Sequence, residues 1–354
     1  MMENRRRIDQ LAEKHTLPFA EWKELFSSWT QSDRLYAAGL AREAAQKVFS
    51  NKVYVRAIVE FSNFCSNDCL YCGIRRSNRE AERYRLTQEE ILSCCAKAYR
   101  EGFRTFVLQS GEDAFYTKNT TLVKTVAAIR KQFPDCAITL SVGELTFEQY
   151  QALFDAGADR YLLRHESADE EYYNFLHDGK LSLKKRLRCL YDLKQIGFQT
   201  GCGFMVQSPR QTPEILAKEM VFRKELSPAM IGIGPFVPHC RTPFAGEKAG
   251  SLELTLFLLS LCRLMKNNVL LPATTSLGTI HPEGRQLGIL AGANVIMPSV
   301  TPEPVRNKYF LYNNKNALAS AENILFSDLQ LRLEKIGYTL EAGRGDYREE
   351  EYHP

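Results

Sequence analysis

Between residues 53 and 300, short apolar runs take turns with longer stretches in which apolar positions recur every three or four residues. The first pattern belongs to strands, the second to helices that bury one face. The spacing predicts strands over 55–61, 105–109, 137–142, 160–165, 200–206, 230–236, 270–275 and 294–298. Helix boundaries between them are marked by local chemistry. Thr87 with Glu90 and Thr146 with Gln149 make capping boxes, Thr212 precedes Pro213 at a first helical position, and Gly102, Gly157 and Gly197 stand where helices should stop.

Strict alternation of strand and helix implies parallel strands, and eight such units close a (β/α)8 TIM-type barrel. The expected fold is α/β, with the barrel over 51–316. An N-terminal helical extension over 1–50 presents Phe19, Trp22, Leu25 and Phe26 as one apolar face, and a C-terminal helix to about Lys335 with a charged tail from Arg344 to Pro354, whose last residues are expected to fray, occupies 317–354. An open doubly wound sheet is the competing arrangement. It lacks support from a dinucleotide fingerprint, because neither Gly201-Cys202-Gly203 nor Gly232-Ile233-Gly234 has the GxGxxG spacing.

Composition narrows the class of partner. Among 354 residues, 46 are basic and 42 acidic, a net charge of +4, with no basic block beyond Arg5, Arg6 and Arg7. Nucleic acid and anionic membrane are therefore not expected as partners. The longest apolar stretch, Leu254 to Cys262, is broken by Thr255 and Ser260 and falls short of the roughly 18 residues a span needs. No apolar segment follows the charged start, so a cytoplasmic location is expected. Ten cysteines then imply free thiols rather than a disulfide framework.

Three of those cysteines are grouped: Cys65, Cys69 and Cys72 form a CxxxCxxC on the loop that leaves the first strand, at the barrel end where active sites lie. Three thiolates this close can each bind one iron of a cubane and leave the fourth iron open, whereas zinc usually takes four ligands. A zinc knuckle completed by Cys240 or His239 is the alternative.

The segment Phe61 to Gly73, with an aromatic residue before the third cysteine, resembles the radical S-adenosylmethionine (SAM) enzymes. Leu108 to Asp113, Arg160 to Glu166, Gly232 to Phe236 and Pro272 to Thr275 extend the likeness, and together resemble the HydE family of FeFe-hydrogenase maturases, a subgroup shared with biotin synthase and methylornithine synthase. The resemblance implies a [4Fe–4S] cluster on Cys65, Cys69 and Cys72 whose open iron chelates SAM, and reductive cleavage to a 5′-deoxyadenosyl radical. It implies a cysteine-bound organoiron substrate attacked at sulfur, a reductant such as ferredoxin or flavodoxin, and other maturases as partners. An enzyme of the methylornithine-synthase type, acting on an amino acid or small thioether, shares the same cofactor residues. The resemblance further assigns the loop Ser110-Gly111-Glu112 to the methionine amine, Glu166 to the ribose hydroxyls, Arg186 to the methionine carboxylate, Tyr71 to the adenine and Met205 to the nucleoside pocket. Extra C-terminal cysteines found in some members have no counterpart here, since none follows Cys262.

Side-chain alternation adds one expectation about substrate. Arg56, Ile58, Glu60 and Ser62 share a strand face that should point into the barrel, while Val55, Ala57, Val59 and Phe61 face the helices. Arg56 and Glu60 lie about 13 Å apart along the strand and cannot pair. Arg164 has the parity of Glu166, so Arg56, Arg164, Thr274 and Thr275 are expected to form one anion-binding pocket for the substrate. His165 and His239 are expected to be structural.

Overall fold

A computed structural model describes residues 2–118, 120–315 and 326–349. Its main sheet follows chain order: Ala57–Ser62, Thr105–Ser110, Ala137–Ser141, Arg160–Leu162, Gln199–Cys202 and Met230–Ile231 pair successively, all in parallel. Closure runs through short bridges, from Met230 to Leu270 and from Pro272 to Val295. Val295–Ile296 then pairs with Tyr54 and Val55 at the start of strand one. The sheet is therefore a closed barrel rather than an open one.

Several strands are shorter than their apolar runs. Strand one breaks at Arg56 into Lys52–Val55 and Ala57–Ser62. The runs expected over 200–206 and 230–236 each split, and their second halves, Met205–Val206 and Gly234–Pro235, pair with each other. Gly203 permits that bend: a Cβ there would lie 1.9 Å from the carbonyl oxygen of Gly232. Strand seven contributes only the bridges at Leu270 and Pro272, and proline has no N–H for a ladder.

The alternation of strand one decides what is core. Val55, Ala57, Val59 and Phe61 join the apolar layer under the helices, which also buries Ile91, Cys95 and Leu256. Arg56 and Glu60 are buried inside the barrel instead. Both capping boxes are formed, Thr212 caps Pro213–Leu226, and Gly102, Gly157 and Gly197 take positive φ at helix ends.

Helices Met2–Lys14, Phe19–Ser28 and Gln31–Phe49 pack on the outside of the barrel against Pro213–Leu226 and Leu252–Met265. Trp22, Leu25 and Phe26 are buried there, but Phe19 is 40% exposed, contrary to expectation. It is the first residue of its helix, and helical side chains tilt toward the N-terminus, so it reaches past the covered surface. Among the described residues no helix is long and apolar enough to cross a membrane.

The C-terminal segment also departs from expectation. Part of the expected helix and the last residues of the tail lie outside the described residues. Helix Phe326–Glu334 leads to strand Thr339–Glu341, which pairs in parallel with Lys52–Tyr54. Residues 343–349 then close the N-terminal end of the barrel, a role the sequence did not announce. Arg344 bonds Asp159 at 2.8 Å and Asp346 at 2.7 Å, and Asp346 reaches Arg160 at 2.6 Å. The reason is charge: the Arg160 side chain is wholly buried, and an uncompensated buried guanidinium is strongly disfavoured.

Burial raises the pKa of Asp346, but its hydrogen bond to Arg344 and the charges of Arg160 and Arg344 outweigh this and hold it below the ordinary 3.8. A depressed carboxylate pKa contributes stability that is complete above the unfolded value and is lost as the pH falls through the folded one. Asp346→Asn should lower unfolding free energy at pH 7 by about 2 kcal/mol, less than for a fully buried pair because Asp346 keeps some exposure. Urea melts should show the difference from wild type shrinking below pH 3.8; equal stability at pH 7 would contradict this role.

Candidate active site

Because the strands are parallel, their C-terminal ends open on one rim, and the loop Asn63 to Gly73 crosses it. Its base is fixed by buried polar groups. Asn63 donates to the carbonyls of Glu82 and Lys308 and accepts from the Tyr84 N–H. The Arg83 guanidinium donates to the carbonyls of Asn63, Ile74, Arg75 and Asn78, clamping both ends of the loop with one cation. Asp68 accepts from Ser77 and Arg75. Although burial opposes ionisation, these bonds hold its pKa down to about 2.

On this loop Cys65, Cys69 and Cys72 line a cavity of about 240 Å³, together with Ser110, Gly111, Glu112, Glu166 and Arg186. Burial pushes all three thiols up, and each of Cys69 and Cys72 is raised further by its neighbouring sulfurs, Cys72 to about 12. Bare, the three are thiols; a cationic cluster reverses that logic by displacing their protons. No three His, Cys, Asp or Glu side chains among the described residues converge as a site for a single metal ion. Three soft sulfur donors spaced along one cavity wall fit a multi-iron cluster, which takes one sulfur per iron.

The loop after strand Thr105–Ser110 is stitched to the cysteine loop. Ser66 donates to the Glu112 carbonyl through both its N–H (3.0 Å) and its hydroxyl (2.8 Å). A Cβ on Gly111 would lie 2.3 Å from the Phe64 oxygen and 2.8 Å from Cys65 Cβ, so only glycine admits this approach.

Helix Leu183–Ile196 supplies Arg186. Its neighbours Lys185 and Arg188 are mostly exposed, whereas Arg186 is buried, 2.9 Å from Glu144 and 3.4 Å from Glu112. Burial alone would lower its pKa; Glu112, Tyr173 and Glu144 outweigh this and raise it, fixing a permanent cation at the cavity wall. Glu166 stands in a left-handed turn (φ +61°), its carboxylate 3.0 Å from Arg164. Tyr71 and Met205 form an apolar wall with Tyr172 and Leu176, and the Tyr71 hydroxyl lies 3.2 Å from His177 Nε2.

The four residues expected to form one anion pocket are not brought together. Arg56 does point inward, but its Nη1 lies 3.1 Å from Met230 Sδ, and Arg160 and Asp346 are the charges that act on it most strongly. Ser62 ends the strand six residues beyond Arg56, about 20 Å along it, whereas Arg164 follows the end of its own strand, so parity gave the direction and missed the depth. Arg164 lines the cavity but is paired with Glu166. Thr274 bonds Ser276 at 3.0 Å and Thr275 opens helix Thr275–Ile280; of these three, only Ser276 lines the cavity.

Three other lining residues were not singled out in the sequence: Tyr309 and Tyr312 come from the polar segment after the last strand, and Ser141 from a strand end, whereas Gln109 lies within the segment Leu108 to Asp113. Lys315, from the same segment, is buried against Glu60 at 2.5 Å, and Ser299 and Thr301 complete that carboxylate's bonds. Burial raises the pKa of Glu60, and the charge of Lys315 and these bonds bring it below 4.5. His165 and His239 are both buried and, like Cys240, do not line the cavity.

Residues 59–220 match the model of the Radical SAM superfamily. The chain belongs to that superfamily, whose enzymes use a [4Fe–4S] cluster and SAM. Within it, the chain is 43% identical over 298 residues to the [FeFe] hydrogenase maturase subunit HydE of Thermotoga maritima, covering 84% of each chain. It is 28% identical over 302 residues to 3-methylornithine synthase of Methanosarcina barkeri, covering 83% of each. The crystal structure of methylornithine synthase (PylB) superposes with a TM-score of 0.83 over 94% of this chain and 97% of that one, at 25% identity.

The donor set generates a direct expectation. Cys65→Ala, Cys69→Ala and Cys72→Ala should each lose most iron and all SAM cleavage, while Cys94→Ala, in the buried face of helix Gln88–Arg100, should keep both. Iron analysis and product assay under anaerobic conditions check this; a full cluster in Cys69→Ala would contradict it.

Proposed function

We propose that the enzyme is a maturase of the HydE type, acting in assembly of the FeFe-hydrogenase cofactor on a cysteine-bound organoiron precursor. The observation that carries this reading is the 43% identity spread over 84% of both chains. Identity to 3-methylornithine synthase over a similar span is 28%, although the methylornithine synthase (PylB) structure superposes with a TM-score of 0.83.

In this reading Cys65, Cys69 and Cys72 hold the [4Fe–4S] cluster. When bound, the cluster supplies the electron that cleaves SAM to methionine and a 5′-deoxyadenosyl radical. The backbone of Ser110-Gly111-Glu112 meets the methionine amine, close to the cysteine loop because Gly111 lacks a Cβ. Arg186 turns its guanidinium to the methionine carboxylate. Glu144 is shared between Lys185 and Arg186, and the contact of Arg186 with Glu112 is the longer one, 3.4 Å, which leaves room for a bidentate ligand. Glu166 accepts from the ribose hydroxyls, and Tyr71 with Met205 covers the adenine.

Substrate occupies the cavity beyond the nucleoside, toward Arg164 and Ser276, with Thr274 holding the Ser276 hydroxyl. Arg56 and Thr275 do not line this cavity. Tyr309 lines the cavity and comes from the same segment as Lys315, whose charge is paired with Glu60 inside the barrel. The enzyme acts on a small molecule and needs a reductant. Ferredoxin or flavodoxin fits the latter role, other maturases are further partners, and neither nucleic acid nor membrane takes part. The cytoplasm is the matching compartment, with the barrel over 51–316 as the catalytic unit and the flanking segments as its outer helices and floor.

The test is complementation under anaerobic conditions: this chain replaces HydE in a strain that carries FeFe-hydrogenase but lacks its own HydE. Restored hydrogenase activity with wild type and none with Cys69→Ala is the expected result. No activity, from protein that cleaves SAM when given an amino acid substrate, would favour the methylornithine-synthase type of reaction.

A further inference from the structure

Beneath the turn that carries Glu166 lies an ionisable pair that the chemistry above does not use. The side chains of His165 and Glu219 are wholly buried, with Nε2 2.7 Å from Oε2. The other carboxylate oxygen of Glu219 accepts the Ala168 N–H at 2.5 Å, so one carboxylate grips the chain on both sides of Glu166. The second ring nitrogen of His165, Nδ1, faces the Gly203 N–H at 3.4 Å. The Gly203 carbonyl in turn accepts the Glu166 N–H at 3.1 Å.

These contacts fix the protons. An Nδ1 that faces a donor is an acceptor, so the ring proton sits on Nε2 and is donated to Glu219. Glu219 then carries a buried negative charge. Burial works against that charge, but His165, then Arg223 and the Ala168 N–H, outweigh it and hold the carboxyl pKa below its ordinary 4.5. Arg223 lies one turn further along helix Pro213–Leu226 and is itself buried.

A helix can pack on a sheet with apolar residues alone, and a buried carboxylate is costly. What this one restrains is a glutamate in the left-handed region, at φ +61°. Bulky residues avoid that region unless their surroundings over-determine it. Here both flanks of Glu166, and its own N–H, are tied to groups that Glu219 holds directly or through the imidazole.

We propose that Glu219, acting through His165 and the Ala168 N–H, is the positioning residue that keeps Glu166 in its left-handed turn with the carboxylate toward the nucleoside. This rests on the reading of Glu166 as the ribose ligand.

The experiment uses the reconstituted holoenzyme, with SAM cleavage followed as a function of SAM concentration. In Glu219→Gln the side chain keeps its size, but its amide nitrogen confronts one of the two N–H donors. It should raise KM for SAM by about 10-fold, the effect of one lost charge-assisted hydrogen bond, with iron content unchanged and kcat at saturating SAM kept within about twofold. Glu166→Gln is the control and should raise KM at least as much. A raised KM in Glu166→Gln with no change in Glu219→Gln overturns the positioning role. An unchanged KM in Glu166→Gln overturns the ribose assignment itself. Iron content and kcat that fall together with the rise in KM in Glu219→Gln mark a purely structural pair and also overturn the proposal. If Glu219→Gln does not accumulate, His165→Gln, which keeps a donor to Glu219 and loses the acceptor for Gly203, is judged on the same three readings.

Discussion

Parallel closure of the barrel is the constraint on which everything else depends. With every strand pointing the same way, all C-terminal ends empty onto one rim, and loops far apart in sequence face one cavity. The cysteine loop after Ala57–Ser62 and the glycine loop after Thr105–Ser110 meet because their strands are neighbours in the sheet, and the turn at Glu166 joins them from two strands further on, past Ala137–Ser141, because all these ends open on one rim. Glycine at 111 then lets two of these loops touch, and Arg83 and Asn63 hold the first of them in place.

Closure also encloses charge. A barrel interior excludes water, so each inward ion needs a partner of opposite sign or a set of dipoles. Four such solutions stand in the barrel: Glu60 with Lys315 inside it, Arg160 with Asp346 at its floor, Arg186 with Glu144 at the cavity wall, and Glu219 with His165 beneath the ribose turn. Removing one member of such a pair strands the other, which makes these positions sensitive even where they touch no ligand. Arg56 is the exception: its Nε and Nη2 are buried without a hydrogen-bond partner, and burial, with the charge of Arg160 after it, lowers its pKa well below the usual arginine range.

What was legible beforehand follows the range of each interaction. Capping boxes, helix-ending glycines and strand alternation are set by residues within a few positions of one another, and they are found where the spacing put them. The three cysteines lie within one loop, so the cluster motif was visible for the same reason. The fold class needed only the strand-helix count. By contrast, Lys315 meets Glu60 across 255 positions and Asp346 meets Arg160 across 186, and no local pattern announces either. The error over Arg56 is of the same kind. Alternation fixes which face a side chain takes, whereas its height in the barrel depends on where the strand begins relative to its neighbours. The floor formed by residues 343–349 was read only as a charged tail, because the partners of its charges, Arg160 and Asp159, lie far back in the chain.

The central claim is that three cysteine sulfurs hold a cluster with one iron left open to SAM inside this cavity. The most direct measurement is electron paramagnetic resonance of the anaerobically reduced protein with and without SAM. The account predicts an iron–sulfur signal whose g values move when SAM is added, because the ligand enters the coordination of the open iron. A signal that stays unchanged while SAM binds, or protein that holds zinc and no iron–sulfur signal, would contradict it.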